Sequence, residues 1–138
     1  MSRGSIGRAL LTLAALFSVG ATVGPDLLTP THVFDPAWPP HARFHAALAA
    51  FTAAGNSLVA LYLVWSRNDL HGCRLAAVLI ALFWMIFLGC ARLPGVALMA
   101  PALELAVAFV PLVLTAVGYW LARTDGSGMQ SRPCNMDG

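Results

Sequence analysis

Four apolar runs, at about residues 8–24, 43–65, 75–93 and 102–121, constrain this chain more than any other feature. About 20 residues of helix cross a bilayer core about 30 Å thick, and the last three runs meet that length. Lipid offers no hydrogen-bond partner to open backbone, so each run has to be helical. The first run is shorter and follows "MSRGSIGR", which raises a cleaved signal peptide as an alternative. No clear A-x-A site precedes the polar loop after it, so the run is read as a retained helix. Joined by short connections, four such spans predict an all-α fold, an integral-membrane antiparallel four-helix bundle.

Composition supports a membrane solvent. The 138 residues are 59% hydrophobic and 10% charged, against about 25% charge in an ordinary soluble domain. The net charge of +2 is too mild for a nucleic-acid partner. All eight basic residues are Arg, which looks like the coding bias of a high-GC bacterium. Cys73, Cys90 and Cys134 lack C-x-x-C spacing, which argues against disulfides and zinc-thiolate sites. One domain is expected over residues 1–123, followed by a Gly-, Ser- and Pro-rich tail, 124–138, read as a disordered cytoplasmic segment.

Charge placement gives a direction. Arg3, Arg8, Arg67, Arg74, Arg123 and Arg132 flank one set of ends, and only Arg43 and Arg92 the other. The positive-inside rule then places both termini in the cytoplasm and the 25–43 loop outside, in a cytoplasmic membrane. Trp65, Tyr119 and Trp120 fall at one interface and Trp38 at the other, as an aromatic belt would. Asp69, His71, Asp125 and Asp137 read as solvated flanks.

The remaining polar groups collect on the outer side: Asp26, His32, Asp35, His41, Arg43, His45, Arg92 and Glu104. Most lie in or near "THVFDPAWPPHARFH", residues 31–45. Pro36, Pro39 and Pro40 stiffen that loop, and Pro40 suits the first turn of the second helix, where a missing N–H costs nothing. His41 and His45 then stand at i and i+4 on one face. Thr52 and Asn56 continue the line, and the stripe is expected to face the bundle interior. Glu104, about one turn inside helix four, suits a helix N-terminus, yet a carboxylate below the interface is costly unless paired. Arg92 is its expected partner.

An acid and an imidazole facing an apolar cavity suit proton shuttling on a lipophilic molecule: isomerisation, cyclisation or epoxide opening. Glu104 or Asp35 would be the acid and His45 or His32 the base. Arg43, Arg92, Asn56, His41, Trp38 and Asp26 would bind substrate. No cofactor or resident metal is expected, and a terpenoid or polyketide is the kind of substrate implied. The bilayer is the other partner, with a homo-oligomer open. A non-catalytic module that binds lipid or steadies a membrane partner is the alternative. A metal site is the competing chemistry, with His41 and His45 as a helical pair and His32 or Asp35 as a third ligand.

The 31–45 segment resembles the T-H-x-F-[ND]-P-x-W-P-P-H-A-R-F-H signature of a family of small four-helix membrane proteins from bacteria and fungi. That resemblance implies the fold and no activity. In architecture alone the chain is also similar to the emopamil-binding superfamily of sterol isomerases, which implies a bundle cavity for lipophilic molecules. No motif here maps residue by residue onto that superfamily, so no catalytic role is carried over.

Overall fold

Four helices account for most of the chain: α1 (Arg3–Leu27), α2 (Pro40–Ser66), α3 (Leu70–Cys90) and α4 (Pro101–Gly126). They come from a computed structural model that describes residues 2–67, 69–96, 98 and 100–126. No strand occurs among the described residues. Each helix is long and apolar enough to cross a membrane. The helices pack in a ring, α1 against α2 and α4, and α3 against α2 and α4, with a thinner contact between α1 and α3 across the middle.

Local chemistry sets the helix starts. The Ser2 hydroxyl accepts from the Ser5 amide at 3.1 Å, and the Asp69 carboxylate accepts from the Gly72 amide at 2.6 Å. Both satisfy amides that a helix N-terminus leaves open. As expected, α2 opens on Pro40, directly after Pro39. Two boundaries differ from the hydropathy reading. α1 runs on through Pro25 to Leu27, carrying Asp26 into the helix, because hydropathy marks lipid contact and not backbone pairing. α4 continues to Gly126, so the expected tail starts as helix, and its residues from 127 onward lie outside the described ones. Cys73 is buried and Cys90 exposed, both unbridged, while Cys134 is not among the described residues.

The core is made of small side chains. α2 buries Ala50, Ala53, Ser57, Ala60 and Val64, while Phe51, Leu58, Tyr62 and Trp65 of the same helix are exposed. Lipid is as apolar as leucine, so large apolar groups gain nothing by turning inward, whereas small ones let helices approach. This corrects the expected inward stripe. His41, His45 and Thr52 are exposed and Asn56 is only half-buried. At 3.6 residues per turn they lie roughly 80–140° around α2 from its buried face.

A backbone-to-backbone approach joins α1 to α4. A Cβ built on Gly7 would lie 2.5 Å from the Gly118 carbonyl oxygen, and one on Gly118 would lie 2.9 Å from the Gly7 carbonyl oxygen. Across the ring, the Trp84 indole N–H of α3 donates to the Ser18 hydroxyl of α1 at 2.8 Å, with both residues buried. That hydroxyl in turn donates to the Ala14 carbonyl at 2.8 Å. A second indole works nearer the start of α1, where the Trp65 N–H donates to the Thr12 hydroxyl at 3.0 Å.

Gly7→Ala and Gly118→Ala should each lower stability by about 1–3 kcal/mol through forced separation of α1 and α4. Reversible unfolding in mixed detergent measures this. Gly20→Ala, whose Cβ would meet nothing within 4 Å, is the control and should unfold as the parent does. Ser18→Ala leaves a buried indole N–H without its acceptor and should cost about 1–3 kcal/mol in the same assay. A parent-like midpoint for Ser18→Ala would remove the hydrogen bond from the account of the core.

Candidate functional site

A cavity of about 440 Å³ opens at the end of the bundle where α1 finishes and α4 begins. Its volume is within the roughly 300–1,000 Å³ typical of small-molecule sites. α1 contributes Ala21, Thr22, Pro25 and Asp26, and α4 contributes Leu103, Glu104 and Val107. The aromatic wall is Phe83, Trp84 and Phe87 of α3, set edge to face with centroids 5.4 and 5.7 Å apart. His32 and Trp38 from the α1–α2 loop and Ala49 of α2 complete the lining.

Two prolines shape these walls. Pro25 lies inside α1 and Pro111 inside α4. Proline has no N–H, so each removes the usual i to i−4 donor from one carbonyl. The carbonyls concerned are those of Ala21 and Val107, both residues of the cavity wall. Such interruptions are tolerated at membrane depth where the backbone lines a cavity.

His32 is held by its Nδ1. That nitrogen lies 3.4 Å from Asp26 Oδ1, 3.4 Å from the Pro25 carbonyl oxygen and 3.0 Å from the Thr31 hydroxyl. A carboxylate and a carbonyl only accept, so the tautomer that suits these two contacts has its proton on Nδ1 and leaves Nε2 the lone pair. The Trp38 ring meets the imidazole edge to face at 5.1 Å. His32 and Asp26 therefore form an imidazole–carboxylate pair in the cavity lining.

Glu104 lines the same cavity from the first turn of α4. Its Oε1 accepts from the Ala100 backbone N–H at 2.8 Å, closing the helix start as a capping glutamate does. This corrects the expected pairing with Arg92. Arg92 is exposed beyond α3, and the ion pairs among the described residues are His32–Asp26 and Arg67–Asp69. A backbone N–H one turn away satisfies the carboxylate without that arginine.

The other sequence candidates lie elsewhere. Asp35 Oδ1 accepts from the Ala37 amide at 2.8 Å and shapes the loop turn. Arg43 is half-buried, its Nε without a partner among the described residues, and it does not line the cavity. Asn56 is also outside it. His41 and His45 pair with each other on the exposed flank of α2, their Nε2 atoms 3.0 Å apart. Among the described residues no three His, Cys, Asp or Glu side chains group to hold a metal, so neither His32 nor Asp35 joins that pair as a third ligand. Of the ten candidates, Asp26, His32, Trp38 and Glu104 share the cavity.

The sequence reading passed over the aromatic wall, Thr22, and the Ser18 hydroxyl under Trp84. A proline just after the first apolar run, at 25, and one inside the fourth, at 111, were the available signal for where backbone would part from regular packing.

No curated protein and no solved structure matches the chain, so the emopamil-binding likeness has no named relative behind it. One family model does match, a family of unknown function (DUF6640), over residues 13–133, a stretch that includes the whole 31–45 segment. That match covers most of the four-helix domain, and the chain belongs to this family.

Proposed function

We propose that this protein is a small enzyme of the cytoplasmic membrane that performs acid–base chemistry on a lipophilic small molecule of the terpenoid or polyketide kind. The observation that carries the reading is the joining of Asp26, His32 and Glu104 on one mostly apolar cavity, although they come from three separate segments. His32 Nε2 removes a proton from the substrate, Asp26 steadies the imidazolium that forms, and Glu104 delivers a proton from the α4 wall. Such a pair moves a double bond, closes a ring or opens an epoxide without a redox step. The aromatic wall supplies an apolar bed that excludes water and suits developing positive charge on carbon. The excess of arginine at the termini and at the α2–α3 turn supports cytoplasmic termini, with the cavity toward the outer face.

Solvent deuterium tests the proposal. The full chain in vesicles of neutral lipid is incubated in D₂O with a panel of polyprenoid and polyketide hydrocarbons, alcohols and epoxides, and products are read by mass spectrometry. Turnover with deuterium at carbon is expected. His32→Ala and Glu104→Gln should each reduce it by about 10²–10⁴-fold, the usual contribution of one acid or base. Asp26→Asn should reduce it less, and His45→Ala should leave it intact. Tight binding with neither a new product nor deuterium uptake would convert the reading to a lipid-binding accessory protein. Full activity in both His32→Ala and Glu104→Gln would sink the cavity as the reaction site.

A further inference from the structure

We propose that His41 and His45 form a second, separate site: a two-nitrogen chelate for a first-row divalent transition-metal ion on the exposed first turns of α2. The two imidazoles stand at i and i+4, and their Nε2 atoms converge to 3.0 Å. Their ring planes are nearly perpendicular, at 88°, with centroids 4.4 Å apart. Metal–imidazole bonds of about 2.0–2.1 Å, opened by roughly 90–109° at the ion, separate the nitrogens by about 2.9–3.4 Å. The pair therefore already has the bite of a chelate, and an ion enters without a change of helix register.

The rest of the surroundings agrees. Each ring is exposed, and among the described residues its only polar partner is the other ring. In the metal-free pair one Nε2 donates its proton to the other. Metal binding needs a lone pair on both, so the donor ring moves its proton to Nδ1, where nothing in the described structure opposes it. Phe44 meets His45 edge to face at 5.5 Å and restrains that ring. No carboxylate joins the pair, and the α2 N-terminus carries partial positive charge. A hard ion held by charge, such as Mg²⁺ or Ca²⁺, is disfavoured. An ion held by directed nitrogen bonds is selected, Cu²⁺ above Zn²⁺ by the usual order. With two protein ligands the remaining positions stay open to water or an anionic group, so the ion exchanges and is not structural.

Metal titration of the full chain, without a polyhistidine tag and in neutral-lipid nanodiscs, tests the site. One equivalent of Cu²⁺, and more weakly of Zn²⁺, should bind in competition with a chromophoric chelator. Loss of either imidazole removes the chelate effect, so His41→Ala and His45→Ala should each weaken binding by about 100-fold or more. His71→Ala, on another exposed segment, should bind as the parent does. Electron paramagnetic resonance of the parent's Cu²⁺ complex should show two imidazole nitrogens, independently of how any variant folds. No binding at millimolar metal would overturn the proposal. Parent-like affinity in both His41→Ala and His45→Ala, or a nitrogen count other than two, would do the same.

Discussion

Trp84 is the one aromatic side chain buried among the described residues, in a core otherwise built from Ala, Gly, Ser and a few larger aliphatics. Its hydrogen bond to Ser18 ties α3 to α1 across the diagonal of the ring. At the Gly7–Gly118 end, α1 and α4 approach until backbone meets backbone. Toward the other end the indole and its neighbours Phe83 and Phe87 occupy the centre, and beyond them lies the cavity. The bundle is thus tight at one end and hollow at the other, and the indole marks the change.

The hollow end is also where the regular backbone is interrupted. Pro25 and Pro111 free carbonyls on the α1 and α4 walls, and Asp26 and Glu104 sit on the same two helices within about one and a half turns of the freed positions. Every unpaired acceptor near the membrane interior carries a desolvation cost, so a bundle selected only for stability would place apolar, fully paired turns there. Two carboxylates, an imidazole and two interrupted turns around one cavity support the proposed site on the ground that polar groups at membrane depth are costly. The Glu104 capping bond does not oppose that reading, since Oε1 alone is used by the Ala100 amide.

Hydropathy alone carried the helix number and the all-α bundle, because lipid leaves backbone no other way to pair. Pro40 at the start of α2 was legible for a similarly local reason. The site was legible in its membership and not in its assembly. Asp26, His32, Trp38 and Glu104 were all singled out, but so were His45 and Arg92, and nothing in the spacing separated the two groups. The inward stripe failed on a physical point. In water polarity points outward, whereas in a lipid-embedded bundle smallness points inward, and on α2 the small residues Ala50, Ala53, Ser57 and Ala60 decided the face. The Arg92–Glu104 pairing failed because a carboxylate in the first turn of a helix finds a backbone N–H sooner than a distant guanidinium.

The division of the histidines follows from the same packing. His32 precedes Pro36, Pro39 and Pro40, and the loop folds it back onto the end of α1, where Asp26 and the Pro25 carbonyl fix its tautomer. His41 and His45 follow those prolines and inherit the phase of α2. That phase is set more than a turn downstream, where Ala50 and Ala53 must face α1 and α3 for the helices to close. Each residue added or removed between His45 and Ala50 would turn both imidazoles by about 100° relative to that face. The present length puts them on the outer flank, so two histidine groups from one fifteen-residue segment serve different surfaces: one the cavity, the other the exterior.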